Sequence, residues 1–187
     1  MTMTVLALSG SLRQESLNTR LVHAAAELAP EGVRLEPATL HGIPLYDGDV
    51  EAEGVPEAVT ALAARVAAAD GLVIASPEYN YSMPGVLKNG LDWLSRVKGK
   101  PFAGKPLAIM GVSPGRFGTV RMQHHLRQAL LWTEARVLPK PEVMLGSGGT
   151  LFDDAGRLTD EAAVKSVRRQ LEALATAIAE ARRVQQP

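Results

Sequence analysis

Ser9-Gly10-Ser11-Leu12-Arg13-Gln14-Glu15-Ser16-Leu17-Asn18 decides the reading of this chain. The stretch follows an apolar run, Val5-Leu6-Ala7-Leu8, and leads into a helical pattern that begins near Ser16. Strand, short polar loop and helix start form the arrangement in which α/β proteins hold a phosphate group. Ser11, Ser16 and Asn18 bring side-chain donors, and Arg13 brings a guanidinium fork matched to a phosphate dianion. The unpaired N–H groups of the first helical turn point into the same space, where the helix dipole favours negative charge. The bland alternative is a polar loop in which Ser16 only caps the helix and Arg13 is solvated.

Outward from this loop, short and nearly continuous apolar runs alternate with helical patterns. Val5 to Leu8 is the first strand, and Leu17, Leu21, Ala24 and Leu28 recur at helical spacing until Ala29-Pro30-Glu31-Gly32. Val33 to Ala38 is a weaker second strand; a Gly-rich, acidic loop spans His41 to Gly54, and a helix restarts at Pro56. Leu72 to Ala75 reads as a strand buried on both faces. Pro84 suits the first turn of a helix that runs to about Arg96. Leu107 to Val112 is the fourth strand, 117–132 the next helix, and Ala135 to Leu138 begins a fifth strand whose Pro139 and Pro141 fit only a sheet edge. In the closing helix Val164, Val167, Leu171, Leu174 and Ile178 form one apolar stripe.

Five strands separated by helices predict a doubly wound α/β fold: a five-stranded parallel sheet in the flavodoxin-like order 2-1-3-4-5, with helices on both faces. The 187 residues suffice for one full core, so a single domain over 1–187 is expected. Twenty basic and twenty acidic residues balance, which argues against nucleic acid or an anionic membrane as partner. The absence of cysteine excludes disulfides, thiol nucleophiles and thiolate metal sites. Met-Thr-Met-Thr lacks a basic leader region and no apolar stretch approaches membrane length, so a cytoplasmic location is expected.

In that strand order, ligands bind at the carboxyl ends of strands one and three. The loop after strand three is Ser76-Pro77-Glu78-Tyr79-Asn80-Tyr81-Ser82, which combines two tyrosines with serine, asparagine and glutamate. A flat heteroaromatic ring needs an apolar surface beside its face and polar groups at its edge, and this loop can supply both. Its tyrosines could equally just cover the edge of the core. The loop after strand four, Ser113-Pro114-Gly115-Arg116-Phe117-Gly118, leaves beside them, and its glycines allow close approach of the backbone. A phosphate at one end and a planar ring at the other describe a flavin mononucleotide.

At these residues the chain resembles the NADPH-dependent FMN reductases, which include chromate and quinone reductases. The resemblance rests on Gly10-Ser11-Leu12-Arg13-x-x-Ser16-x-Asn18, on Pro77 to Ser82 with Pro84-Gly85, and on Leu87-Lys88-Asn89 with Leu91 to Arg96. It continues through His125-Leu126-Arg127-Gln128 and Lys140-Pro141-Glu142. It implies an FMN-dependent enzyme oxidising NADPH or NADH in two steps and passing the electrons to a quinone, azo compound, chromate or free flavin. It further implies that Ser11, Arg13, Ser16 and Asn18, with the Leu17 backbone N–H, hold the FMN phosphate. Pro77, Glu78, Tyr79, Asn80, Tyr81 and Ser82 would line the isoalloxazine, with Ser113 and Gly115 on its other side. The flavin carries the chemistry, so no side chain is assigned as acid, base or nucleophile, and no metal ligand is assigned.

Three positions depart from the family pattern: Leu17, often aromatic in relatives; Glu15, a carboxylate inside a phosphate loop; and Gly90, mid-helix where relatives carry Ala. Gly111-Val112-Ser113-Pro114-Gly115 matches the nucleophile elbow of the α/β-hydrolases, but Pro114 has no N–H for an oxyanion hole. His124 and His125 are neighbours about 100° apart on a helix, which reads as surface rather than as a metal pair. His23 and His41 have no ligand partner nearby in sequence, and Lys88 with Asp92 reads as an i, i+4 surface pair. Helix 84–96 is apolar on two faces, which points to deep burial or to a homodimer or homotetramer interface through Trp93. The rival function is a flavodoxin-type electron carrier, against which the zero net charge speaks.

Overall fold

The structure is a computed structural model that describes residues 2–185. β1 (Met3–Ser9), β2 (Val33–Ala38), β3 (Gly71–Ala75), β4 (Pro106–Val112), β5 (Arg136–Val137) and β6 (Val143–Leu145) form one sheet of parallel pairs. The order is β2-β1-β3-β4-β5, with β6 also pairing β4. The expected flavodoxin-like arrangement is present. Its helices are α1 (Leu17–Glu27), α2 (Gly48–Glu53), α3 (Glu57–Ala68), α4 (Gly85–Arg96), α5 (Val120–Leu130) and α6 (Glu161–Gln185).

Alternation along each buried strand divides the core into two layers. Val5, Ala7, Val73, Ala75, Ala108 and Met110 face α1 and α6, where Leu21, Ala25, Val167, Leu171, Leu174 and Ile178 meet them. Leu6, Leu8, Leu72, Ile74, Leu107 and Ile109 face the other way, against Leu62, Val66, Leu87, Leu91, Leu94, Met122 and Leu126 of α3, α4 and α5. Both faces of the sheet are thus covered, which is why β1, β3 and β4 read as unbroken apolar runs.

The fifth position of the sheet differs from the sequence expectation. It holds two short strands in tandem: β5 pairs with Pro106 and Leu107 of β4, and β6 with Met110 to Val112. Pro139 and Pro141 stand between them and have no N–H to give to a ladder. The buried Gln170 of α6 fills the gap: its side-chain N–H groups donate to Ile109 O at 3.0 Å and Pro141 O at 2.7 Å.

An interface through Trp93 is corrected by the structure. Trp93 is fully buried within its own chain, because the loop after β2 folds over the outer face of α4. Its indole N–H donates to Pro44 O at 2.9 Å, and Tyr46 meets it edge-on with ring centres 5.1 Å apart. Asn89 fastens the same loop, donating to Pro44 O at 2.8 Å and accepting from Tyr46 N at 2.7 Å. Gly90 is explained too: a Cβ there would lie 2.7 Å from Leu40 Cδ2 of that loop. The short helix α2, with no buried residue and no apolar stripe to announce it, was not foreseen. Lys88 and Asp92 form the expected surface pair at 2.6 Å.

Candidate functional site

The loop 9–18 runs from the carboxyl end of β1 into α1 and is organised by its own hydroxyls. Ser9 Oγ lies 2.8 Å from Thr19 Oγ1 and accepts from Ser11 N at 3.3 Å. Ser11 Oγ accepts from Arg13 N at 3.2 Å, and Ser16 Oγ, the N-cap of α1, accepts from Thr19 N at 3.3 Å. Ser9 Oγ also donates to Ser11 O at 3.5 Å, whereas the Ser11 and Ser16 hydroxyls each still have a proton to donate. Among the described residues the N–H groups of Leu17 and Asn18 have no protein acceptor, and Arg13 has no carboxylate partner. The loop thus offers two hydroxyls, two backbone N–H groups and one exposed guanidinium at a helix N-terminus, a donor set suited to a phosphate. Glu15 turns aside to pair with Arg20, so its carboxylate does not oppose an anion there. Gly10 lets β1 approach β3, since a Cβ on it would fall 2.5 Å from Ser76 Oγ.

Asn18 also has a structural role that the sequence does not show. Its side chain is buried under the loop, donating through Nδ2 to Val112 O at 2.9 Å and accepting at Oδ1 from Val112 N at 3.0 Å. Both ends of the amide hold β4, and the second N–H of Nδ2 and the backbone N–H of Asn18 are left to donate. His41, read from sequence as an unremarkable loop residue, pins the same loop: its ring nitrogens lie 3.2 Å from Leu12 O and 3.1 Å from Thr39 Oγ1.

The loop after β3 is a tight hairpin. Tyr79 and Ser82 exchange backbone hydrogen bonds of 3.0 Å each way, and the two residues between them, Asn80 and Tyr81, have φ of 49° and 68°. Positive φ at both central residues is the mirror-image turn that suits Asn and is costly for Tyr. Tyr79 and Tyr81 are exposed, and Tyr81 is covered on one face by the Arg121 guanidinium 3.8 Å from the ring centre. The Glu78 carboxylate turns to α5, which leaves its backbone as the part that faces the loop. Its carboxylate accepts from the N–H of Arg121 at 3.0 Å and of Met122 at 3.1 Å and pairs with the Arg121 guanidinium, capping α5, whose own N-cap Thr119 makes no side-chain cap. Ser82 Oγ lies 2.9 Å from His125 Nδ1, a second strap from the hairpin to α5. Sequence reasoning missed Arg121 and His125, because both act across 43 residues of chain.

The third loop leaves β4 beside these two. Ser113 N donates to Leu145 O at 2.9 Å, its carbonyl accepts from Gly148 N at 2.9 Å, and its hydroxyl donates to Gly115 O at 3.1 Å. Gly111 has no room for a side chain: a Cβ would fall 2.1 Å from Thr119 Oγ1 and 2.7 Å from Ser76 O. Gly115 faces open space, and Arg116 and Phe117 beyond it are exposed. The three loops leave the carboxyl ends of the neighbouring strands β1, β3 and β4, which brings the expected site residues to one rim, with the Glu78 carboxylate turned to α5. A separate groove of about 320 Å³, lined by Leu94, Phe102, Leu131 and Trp132, involves the other end of α4.

The chain has counterparts among known proteins. The sequence pattern of the family described as NADPH-dependent FMN reductase matches residues 3–150. An NAD(P)H-dependent FMN reductase of Pseudomonas aeruginosa is 51% identical over 170 residues, 91% of this chain and 92% of that protein. A quinone reductase of Escherichia coli is 43% identical over 172 residues, 90% of this chain and 92% of its own. Among solved structures, FerB, a flavoenzyme NAD(P)H:(acceptor) oxidoreductase from Paracoccus denitrificans, superimposes with a TM-score of 0.85 at 34% identity, covering 96% of this chain and 98% of FerB. The extent and identity of these matches carry the conclusion that the chain belongs to the NADPH-dependent FMN reductase family.

Proposed function

We propose that this protein is an FMN-dependent NAD(P)H oxidoreductase that reduces a small-molecule acceptor, with quinones foremost and azo compounds, chromate and free flavin in the same class. The observation that carries the reading is the donor set at 9–18, where the described protein provides no anion for Arg13 or for the Leu17 and Asn18 N–H groups. When bound there, FMN supplies a ring that accepts two electrons from the nicotinamide and releases them to the acceptor. The protein's part is to bind and orient. Arg13 would hold the phosphate together with the Ser11 and Ser16 hydroxyls and the N–H groups of Leu17 and Asn18. Pro77, Tyr79, Asn80, Tyr81 and Ser82 present backbone and side-chain groups to one edge of the ring, with Ser113 and Gly115 opposite. Glu78 contributes indirectly, by fixing the hairpin to α5.

The acceptor assignment draws support from the quinone reductase of Escherichia coli. The whole of 1–187 is read as one FMN-binding domain, since α6 closes the core against β4 and β6. A homodimer or homotetramer in the cytoplasm, without nucleic-acid or membrane partners, is consistent with the exposed Leu131 and Trp132 and the balanced charge.

The test uses purified protein with FMN added in excess and then removed. Retained yellow colour, bleached by NADPH or NADH under nitrogen and restored by a benzoquinone, is the expected result. A colourless protein would overturn the FMN reading. Colour that neither nucleotide bleaches would move the chain to an electron carrier.

A further inference from the structure

Four arginines stand on or beside the loops at the rim, and they are not equivalent. Arg20 is paired with Glu15 and Arg121 with Glu78. Among the described residues, Arg13 and Arg116 have no carboxylate within ion-pair distance. Under the oxidoreductase reading Arg13 takes the FMN phosphate, which leaves Arg116 as a second unneutralised guanidinium with no anion assigned to it. Its surroundings differ from those of Arg13. The Arg116 guanidinium lies 5.3 Å from the centre of the Phe117 ring, and Phe117 is 63% exposed. Arg121 bridges the two exposed rings, 5.8 Å from Phe117 and 3.8 Å from Tyr81.

An unpaired guanidinium beside an exposed aromatic face suits a ligand that joins an anion to a planar base. The guanidinium takes a phosphate bidentately, and the ring stacks with a heterocycle. The second substrate of the proposed reaction contains such a group. In the proposed reaction its nicotinamide would meet the flavin beside the 77–82 hairpin and Ser113–Gly115, within one nucleotide's length of the residues that adjoin those loops. Arg116 and Phe117 follow Gly115 directly, and Gly115 is exposed, with no described atom within 4 Å of where its Cβ would lie. NADPH carries a 2′-phosphate on that adenosine, whereas NADH carries a hydroxyl.

We infer that Arg116 and Phe117 form the subsite for the 2′-phosphoadenosine end of NADPH, and that Arg116 makes the enzyme prefer NADPH over NADH. The inference rests on the oxidoreductase reading but adds a residue and a selectivity to it. A charged hydrogen bond of this kind corresponds to a preference of about tenfold or more.

The experiment has a binding arm and a kinetic arm, both on FMN-loaded protein. Calorimetric titration with adenosine 2′,5′-bisphosphate and with adenosine 5′-monophosphate reads the subsite without turnover. Wild-type protein is expected to bind the bisphosphate about tenfold more tightly and to show a similar NADPH-to-NADH ratio in kcat/KM. Arg116→Ala is expected to remove both differences, and Phe117→Ala to weaken both adenosine probes together. Equal binding of the two probes by wild-type protein, or discrimination that survives Arg116→Ala, would overturn the inference while leaving the oxidoreductase reading intact. Failure of both nucleotides to reduce the bound FMN would remove that reading and this inference with it.

Discussion

Asn18 shows how a side chain that reads as a ligand can also be a strut. Its amide gives and takes a hydrogen bond with the backbone of Val112, tying the start of α1 to the end of β4. Arg13, five residues earlier, is exposed and has no carboxylate partner among the described residues. The two therefore separate under mutation. Asn18→Ala strands a buried N–H and a buried C=O and is expected to cost roughly 2–4 kcal/mol of stability. Arg13→Ala is expected to leave unfolding nearly unchanged and to weaken FMN binding by roughly 1.5–3 kcal/mol. Urea denaturation of the apoprotein and fluorescence titration with FMN measure the two effects; a stable Asn18→Ala variant with lost FMN affinity would reverse the assignment. The sequence revealed which donors the loop owns but not where Asn18 points, because its partner lies 94 residues away. Glu78 was hidden in the same way: a carboxylate beside tyrosines suggests a ring edge, and only the fold brings the bare N-terminus of α5 to it.

At the scale of elements, the parts with a strong period were legible and those without one were not. β1, β3 and β4 announced themselves as apolar runs, and the α6 stripe fell where the core needs it. The fifth strand was half legible: its prolines signalled an edge, but not that the ladder breaks and resumes as β6. The repair comes from Gln170, on the otherwise apolar inner face of α6. Replacing it by Leu keeps much of its volume but leaves Ile109 O and Pro141 O without those donors. Gln170→Leu is expected to lose about 1–3 kcal/mol, read as a lower urea midpoint. An unchanged midpoint would mean that water or backbone movement can replace the amide. The loop after β2 escaped sequence reasoning for a related reason. It contains little regular structure, yet Pro44 O receives hydrogen bonds from both Trp93 and Asn89, and so a helix face that looked ready for another subunit is covered from within.

For the molecule as a whole, alkaline pH offers a probe of the end of the sheet away from the site. Lys105, just before β4, donates to Ala67 O at 2.9 Å and Ala69 O at 2.5 Å in the last turn and C-cap of α3. Desolvation lowers its pKa below the ordinary 10.5, against the opposing pull of Asp70. Between that lowered value and 10.5 the unfolded chain binds more protons than the folded one, so this group makes stability rise with pH across the window. Tyr46 works in the other direction. Its hydrogen bond to Glu51 raises the phenol above 10.0, so its contribution is present below that value and is lost as pH climbs through the folded pKa. In a Tyr46→Phe background the alkaline rise should therefore stand out, and adding Lys105→Met should flatten it; urea midpoints across the window decide the matter. The prolines at the margins of the sheet have a further consequence. Pro37 lies within edge strand β2, and Pro139 and Pro141 interrupt the opposite margin. Each margin thus contains residues with no N–H to offer an incoming strand, and one margin has paired runs of only two and three residues. A neighbouring chain finds no long template on which to extend the sheet, so a molecule with so apolar an interior resists fibril-like stacking when it is crowded.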